Sequence, residues 1–370
     1  MAEETTQTAG GPFFRVVKRS GISTPRAWLI RLAAVCCGLI VCALIIVAIT
    51  KQNPLSVYAG IIDGAVGTNR RLWVTIRESL VLLIIAVGLT PAFKMRFWNI
   101  GAEGQVLMGG MAAAALMIYL GNTMPNWLLL MLILLASMAA GMIWGLMPAV
   151  FKACYGTNET LFTLMLNYVA IQIVNFCIVF WENPSGSNTV GIINSSTSKG
   201  WLPELFGLTY GWNVVIVMAV TLLMYIYMKH SKQGYEISVV GESQNTAKYV
   251  GINIKKVIIR TMMISGAICG LAGAIIVSGG SHTISTSTGG GRGFTAIIVA
   301  WMSKFNPLVM LLVSAFLVFM QKGAIQIASQ YGLNENASDI ITGILLFFLI
   351  GSEFFINYKL ELRGTKRGTK

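Results

Sequence analysis

The side chains that most often carry catalysis are few and scattered in this sequence. Its two histidines, His230 and His282, lie far apart, and its six cysteines (Cys36, Cys37, Cys42, Cys154, Cys177 and Cys269) show no CxxC or Cys/His metal-ligand spacing. All but Cys154 sit inside apolar runs, where a thiol behaves as a small hydrophobe. A metal site, a histidine-based triad and redox chemistry are therefore not expected. No Walker A phosphate loop occurs either, so any ATP hydrolysis must belong to another subunit and this chain is not itself expected to be an enzyme. What remains is a set of polar residues embedded in apolar sequence. Their chemistry is hydrogen bonding and charge along a route, not bond making.

Five of these stand out as candidates for a substrate path: Glu78, Asn99, Glu103, Asn167 and His282. Glu78 follows Arg77 inside an apolar run; the arginine can snorkel outward, whereas the acid needs an inner partner. Asn99 and Glu103 fall one turn apart if the run from Phe97 to Gln105 is helical, and an acid at that depth must be paired or protonated. Glu103 then either stabilises a kink or bonds a neighbouring helix, or it lines the route. Asn167, with Gln172 and Asn175 nearby, can equally serve bonds between helices. The stretch from Gly279 to Gly293, almost entirely Gly, Ser and Thr with His282 and Arg292, cannot pack as a regular lipid-facing helix.

The elements that must hold these residues are membrane helices. The 370 residues are 55% hydrophobic and 11% charged, with a mean hydropathy of +0.71, which leaves apolar material for about ten spans of roughly 20 residues. Apolar windows place helices at 29–50, 73–92, 98–120, 127–151, 161–181, 213–229, 257–279, 294–303, 307–322 and 339–357. The eighth is too short to cross alone, and its glycine-rich lead-in suggests a broken or re-entrant element. Gly-interrupted segments around Gly101 and Gly291 point to a site or gate between two halves of a transporter. Gly141 with Gly145, and Gly266 with Gly270, sit four apart and suit close helix packing. The net charge of +13 is a topology signal, not a nucleic-acid footprint: with the N-terminus inside, 20 of the 27 Lys and Arg residues fall on the cytoplasmic side. An even number of spans then puts both termini in the cytoplasm. The reading is an all-α polytopic protein with a basic tail at 1–28, a membrane domain at 29–358 and a second basic tail at 359–370. Within the membrane domain, 182–211 is an extracellular loop and 230–256 a cytoplasmic one. In the latter, Ser243 to Val250 reads as a short helix capped by Ser243 and ended before Gly251.

Three ordered motifs resemble a known family. Phe97-Trp98-Asn99-Ile100-Gly101-Ala102-Glu103-Gly104-Gln105 is followed by Gly156-Thr157-Asn158-Glu159 with Leu164-Met165-Leu166-Asn167-Tyr168. Gly241-Glu242 with Ala247-Lys248-Tyr249-Val250-Gly251-Ile252 completes the set. Together they resemble the permease subunits of bacterial ABC importers for branched-chain amino acids, ribose and nucleosides, and most of all the nucleoside (simple sugar-type) permease that works with a basic membrane lipoprotein. The resemblance spans roughly Trp73 to Asn357. It implies a type II ABC importer-like permease in the bacterial plasma (inner) membrane, with no cofactor bound by this chain. ATP and Mg would be used by a cytosolic ABC ATPase, commonly a fused double cassette. A second permease subunit, homologous or identical, would complete the path, and an extracellular substrate-binding lipoprotein would deliver the cargo. By the same likeness, Gly234, Gly241, Glu242, Ala247, Lys248 and Gly251 belong to the helix that couples to the ATPase, and the 182–211 loop helps receive the lipoprotein. The expected cargo is a nucleoside, with a ribose-type sugar or branched-chain amino acid as the alternative. An ion-coupled secondary transporter using Glu78, Glu103 or Asp339 as its coupling acid is the competing class.

Overall fold

The computed structural model describes residues 14–19, 22–51, 53–332 and 336–362. In chain order these form β1 (Phe14–Lys18), α1 (Thr24–Thr50), α2 (Pro54–Val66), α3 (Asn69–Lys94), α4 (Ala102–Leu120), α5 (Asn126–Tyr155), α6 (Glu159–Trp181) and α7 (Gly211–His230). They continue with α8 (Lys232–Glu242), α9 (Gln244–Tyr249), α10 (Ile254–Ile276), α11 (Arg292–Met302), α12 (Pro307–Gln330), α13 (Asn336–Asn357) and β2 (Tyr358–Leu362). Among the described residues, nine helices are long and apolar enough to cross a membrane: α1, α3 to α7, α10, α12 and α13. The chain divides into two compact units, residues 65–322 and residues 1–64 with 323–370.

In the larger unit, α10 and the part of α3 from 80 to 93 are apolar on nearly every face and buried along most of their length, as central helices are. The peripheral helices α5, α6 and α7 bury one stripe and present Leu135, Met165, Phe176 and Leu222 outward, as lipid-facing helices do. The glycine pairs act where α5 crosses α10: a Cβ on Gly141 would fall against the Gly266 carbonyl oxygen, and one on Gly270 against that of Ser137. Only hydrogen at these positions lets the two backbones touch. Helix α10 ends in a single π-helical turn, Val277–Ser281, closed by His282 in the left-handed region at φ 53°.

The smaller unit packs α1 against α13 and α2 against the end of α12, with an Arg31–Glu353 ion pair of 2.5 Å. Strands β1 and β2 pair antiparallel from Phe14↔Leu362 to Lys18↔Tyr358, which joins the segment before α1 to the segment after α13.

Several expectations are corrected. Helix α2 is absent from the expected helices: its 13 residues are too few to cross a membrane, and Pro54 at its start favours it. α12 runs on through Lys322 to Gln330, and α1 starts at Thr24 with Pro25 in its first turn. The chain is all-α and polytopic as expected, with the short β1–β2 pair as the one sheet among the described residues. The 230–256 loop holds two helices, α8 as well as α9, because Ser231 caps the first through Gly234 N and Ser243 the second through Thr246 N. α11 has 11 residues, so loop 282–291 and α11 together stand where a regular tenth span would.

Candidate functional site

The first break in the larger unit follows Lys94. Pro91 leaves the end of α3 short of one backbone donor, Arg96 turns at φ 60°, and the chain runs without regular structure to Gly101 before α4 begins, Asn99 N donating to Phe97 O at 2.9 Å. Asn99 is therefore not on the same helix as Glu103. It lies before α4, fully buried, where its Oδ1 accepts from Gly101 N at 3.0 Å and its amide faces Gln105 and Ser265 at 3.4 Å. Asn167 on α6 clamps the same break: it donates to Ile100 O at 3.0 Å and accepts from Gly104 N at 2.9 Å. Both asparagines satisfy backbone groups that a helix start leaves open. The structure spends them on the scaffold and not on a cavity wall.

The second break is loop 282–291, and it docks onto the first. Glu103, buried in the first turn of α4, accepts from Gly291 N and Gly293 N at 2.8 Å each, one to each carboxylate oxygen. A negative charge at the positive end of α11, reached by two peptide N–H groups, is a strong anchor. At the other end of α11, Trp301 stacks on Trp98 at 5.5 Å. Gly289 and Gly293 permit this approach, since a Cβ on either would run into Glu103.

Arg292 ties the loop to α3. Its guanidinium donates to the carbonyls of Thr288 and Gly289 and pairs with Glu78 at 2.5 Å. Arg77 does not snorkel away: it pairs with Glu78 at 2.5 Å, donates to the Tyr210 hydroxyl at 3.3 Å and lies 5.0 Å from that ring's centre. Glu78 is thus shared between two guanidiniums, which supplies the partners a buried acid requires. Around this triad opens a cavity of about 280 Å³ whose walls are Arg77, Glu78 and Arg292 on one side and the hydroxyls of Ser281, Thr283, Ser285, Ser287 and Thr288 on the other. Its polar lining, enclosed by apolar helices, can hydrogen-bond a neutral hydroxylated molecule without demanding a charge on it.

His282 closes the π-turn, whose Gly280 and Ser281 line this cavity. Its ring stacks on Trp201 at 3.8 Å with a 10° tilt, its carbonyl accepts from Ile193 N, and burial, then the Arg77 charge, hold its pKa below the ordinary imidazole value. The 182–211 loop is stitched to the π-turn as well: Ser278 bonds Gly200 O through its hydroxyl and accepts from Leu202 N through its carbonyl, while Asn213 donates to Gly279 O at 2.9 Å.

Of the five path candidates, the structure puts Glu78 in the cavity wall and the other four outside its lining: Glu103 anchors the loop at Gly291 and Gly293, His282 stacks on Trp201, and Asn99 and Asn167 hold the first break. The Asp339 side chain lies outside the described residues. Sequence reasoning passed over Arg77, Tyr210 and Arg292 as recognition groups. The signal in the sequence was an arginine beside an acid in an apolar run, at Arg77 and Glu78, and a lone arginine in the Gly/Ser/Thr stretch, at Arg292, with nothing to pair them.

The family described as branched-chain amino acid transport system, permease component, matches residues 71–350, which takes in both breaks and the cavity. The chain belongs to this family. The permease is a multi-pass protein of the bacterial plasma membrane and a non-catalytic transport component. It is similar to the guanosine ABC transporter permease protein NupP of Bacillus subtilis, 28% identical over 346 residues, covering 91% of this chain and 97% of that one. The nucleoside ABC transporter permease protein NupB of Lactococcus lactis is 26% identical, over 90% of this chain and 93% of its own. The glucose ABC transporter permease protein TsgB13 of Haloferax volcanii is 25% identical over 79% of each.

In the permease, α8 and α9 sit on the ends of the two helices that carry the cavity. Gly241 lies against the Lys94 carbonyl at the end of α3, and Glu236 on α8 pairs with Arg260 on α10 at 2.9 Å. Ala247 is fully buried among Met95, Phe97, Ile237, Val257 and Met262. Gly234 is also buried, beneath the Tyr227 and Met228 carbonyls, and Gly251 turns at φ 78°. Of the coupling candidates, only Glu242 and Lys248 present exposed side chains, beside Tyr249 at 92% exposure.

Proposed function

We propose that this permease subunit carries nucleosides inward through an ATP-driven importer. The observation that carries the reading is the hydroxyl- and guanidinium-lined cavity between α3, α10 and loop 282–291. A nucleoside is neutral and offers ribose hydroxyls and a flat base with ring acceptors. Ser and Thr hydroxyls suit the ribose, and the Arg77 and Arg292 donors suit base heteroatoms. The printed functions of the guanosine and nucleoside relatives favour the same cargo. A sugar is the second reading, favoured by the glucose relative, because it shares the hydroxyls but lacks the flat base.

The drive comes from outside the chain. A cytosolic ABC ATPase, commonly a fused double cassette using ATP and Mg, docks on the exposed face of α8 and α9 through Glu242 at the end of α8 and Lys248 and Tyr249 on α9. Its closure tilts α8 and α9 against α3 and α10, whose opposite ends hold Arg77, Glu78 and the π-turn. Such a motion shifts the permease between outward- and inward-open states only if the partners bind the two states unequally. A second permease subunit, identical or homologous, completes the assembly, and an extracellular lipoprotein delivers cargo to the 182–211 loop, where Phe206 is 95% exposed. Both chain termini then lie in the cytoplasm.

The test is uptake of radiolabelled guanosine, with ribose, glucose and leucine as controls, in cells with and without the gene, before and after ATP depletion at a preserved proton gradient. Gene-dependent guanosine uptake that collapses with ATP supports the proposal. Uptake that survives depletion makes the protein an ion-coupled transporter, and selective uptake of a control moves the cargo.

A further inference from the structure

A second cavity, of about 320 Å³, lies between α3, α7 and the turn joining α11 to α12, at the end of the larger unit away from the hydroxyl-lined one. Three lysines line it, Lys94, Lys229 and Lys304, and the exposed Lys229 and Lys304 mark its mouth. Its wall holds no carboxylate, and none of the three lysines has an acid within ion-pair distance among the described residues. That sets them apart from Arg31, Arg77, Lys152, Arg260 and Arg292, each of which is paired.

The lysines are also positioned. Lys229 donates to the Tyr225 hydroxyl at 3.0 Å, which fixes its stem along the wall. Lys304 and Phe305 both take left-handed backbone, at φ 49° and 61°, held by bonds from Lys304 N to Trp301 O and from Phe305 N to Ala300 O. Non-glycine residues adopt that conformation at a cost, and here it turns Lys304 to the mouth. The same turn opens α12, a 24-residue helix whose positive end adds to the field.

Inward from the mouth the lining changes character. Val87 lies two turns deeper than Lys94 on α3, and Met224 lies deeper than Lys229 on α7. Cations at one end of an apolar slot that opens between membrane helices match an amphiphile. A free phosphate would leave the apolar depth empty.

We propose that this cavity binds an anionic phospholipid from the leaflet on the lysine side, its phosphate held by Lys94, Lys229 and Lys304 and one acyl chain lying past Met224 and Val87. Basic residues at a membrane surface each contribute enough attraction that removing one should weaken retention about fivefold.

The experiment compares the full-length permease, delipidated and returned to nanodiscs of phosphatidylglycerol or phosphatidylcholine. Thermal midpoint and lipid retained in native mass spectrometry are both read, for wild type, for Lys94→Gln/Lys229→Gln/Lys304→Gln and for the control Lys255→Gln/Lys256→Gln. Wild type and control should hold phosphatidylglycerol and melt higher in it, and the triple variant should lose both effects. Should the triple variant fail to accumulate, Lys304→Gln alone should retain about fivefold less phosphatidylglycerol than wild type. The proposal is overturned if the lysine variants keep the lipid preference, or if the control loses it equally. It is also overturned if inorganic phosphate added to phosphatidylcholine discs reproduces the gain, which would make this a site for soluble anions.

Discussion

Glu103 presents both carboxylate oxygens to peptide N–H groups, and this decides what a glutamine would do in its place. An amide offers one acceptor and turns its NH2 toward the other N–H, so one charge-assisted bond is lost and a donor faces a donor. Loss of a hydrogen bond to a charged group costs about 1.5–3 kcal/mol, enough to release the loop in a tenfold or larger share of molecules. Glu103→Gln should therefore lower the thermal midpoint and cut uptake about tenfold at unchanged membrane level; full uptake would mean that the anchor is dispensable. His282 supports a second prediction. Burial and Arg77 keep its folded pKa below the ordinary value of 6.5. Above that value both folded and unfolded chains carry neutral imidazole and the residue is silent. As pH falls through it, the unfolded chain binds a proton that the folded chain resists, so stability declines. Midpoints measured between about pH 7.5 and 5.5 should fall more steeply for wild type than for His282→Phe, which keeps the stack on Trp201 and has nothing to protonate. Parallel slopes would show that His282 does not sense pH.

At the scale of elements, the coupling argument rests on contact between α8, α9 and the ends of α3 and α10. Gly241→Val would place a branched side chain against the Lys94 carbonyl and push α8 away, an overpacking cost of about 1–3 kcal/mol that leaves a folded permease. Ala247→Asp would put an unpaired carboxylate in the fully buried site that pins α9. Both variants should insert normally and lose uptake, while Lys248→Ala, altering only the exposed face, should weaken ATPase binding without disturbing α8. Normal transport by Ala247→Asp would defeat the coupling role. Helix α9 was legible in the sequence because Ser243 and Gly251 mark its ends locally, and the spans were legible because twenty apolar residues have few other uses. Helix α2 was not, since thirteen residues with an acid fall below any span threshold and need neighbours to be stable. The roles of Asn99 and Asn167 were not legible either: an amide in an apolar run signals a buried bond, but only the fold shows whether its partner is cargo or backbone. Arg292 shows the same limit, as its partner Glu78 stands far from it in sequence.

For the molecule as a whole, the function depends on which end faces which side. The basic residues of the Lys94 turn and of the α8–α9 region argue for the cytoplasm as their side. Under the importer proposal the cavity beneath the 182–211 loop is expected to face the outside and α9 the cytosolic side. Phe206 and Tyr249, 95% and 92% exposed, report on the two faces. In a background with the exposed Cys36, Cys37 and Cys154 replaced by serine, Phe206→Cys should react with a membrane-impermeant thiol reagent in intact cells. Tyr249→Cys should react only after the membrane is opened. The inverse pattern would turn α9 outward, where no ATPase could meet it, and the importer proposal would fall with it. Labelling of both in intact cells would mean that the apolar helices do not form a sealed barrier, which nine spans of this hydropathy should do.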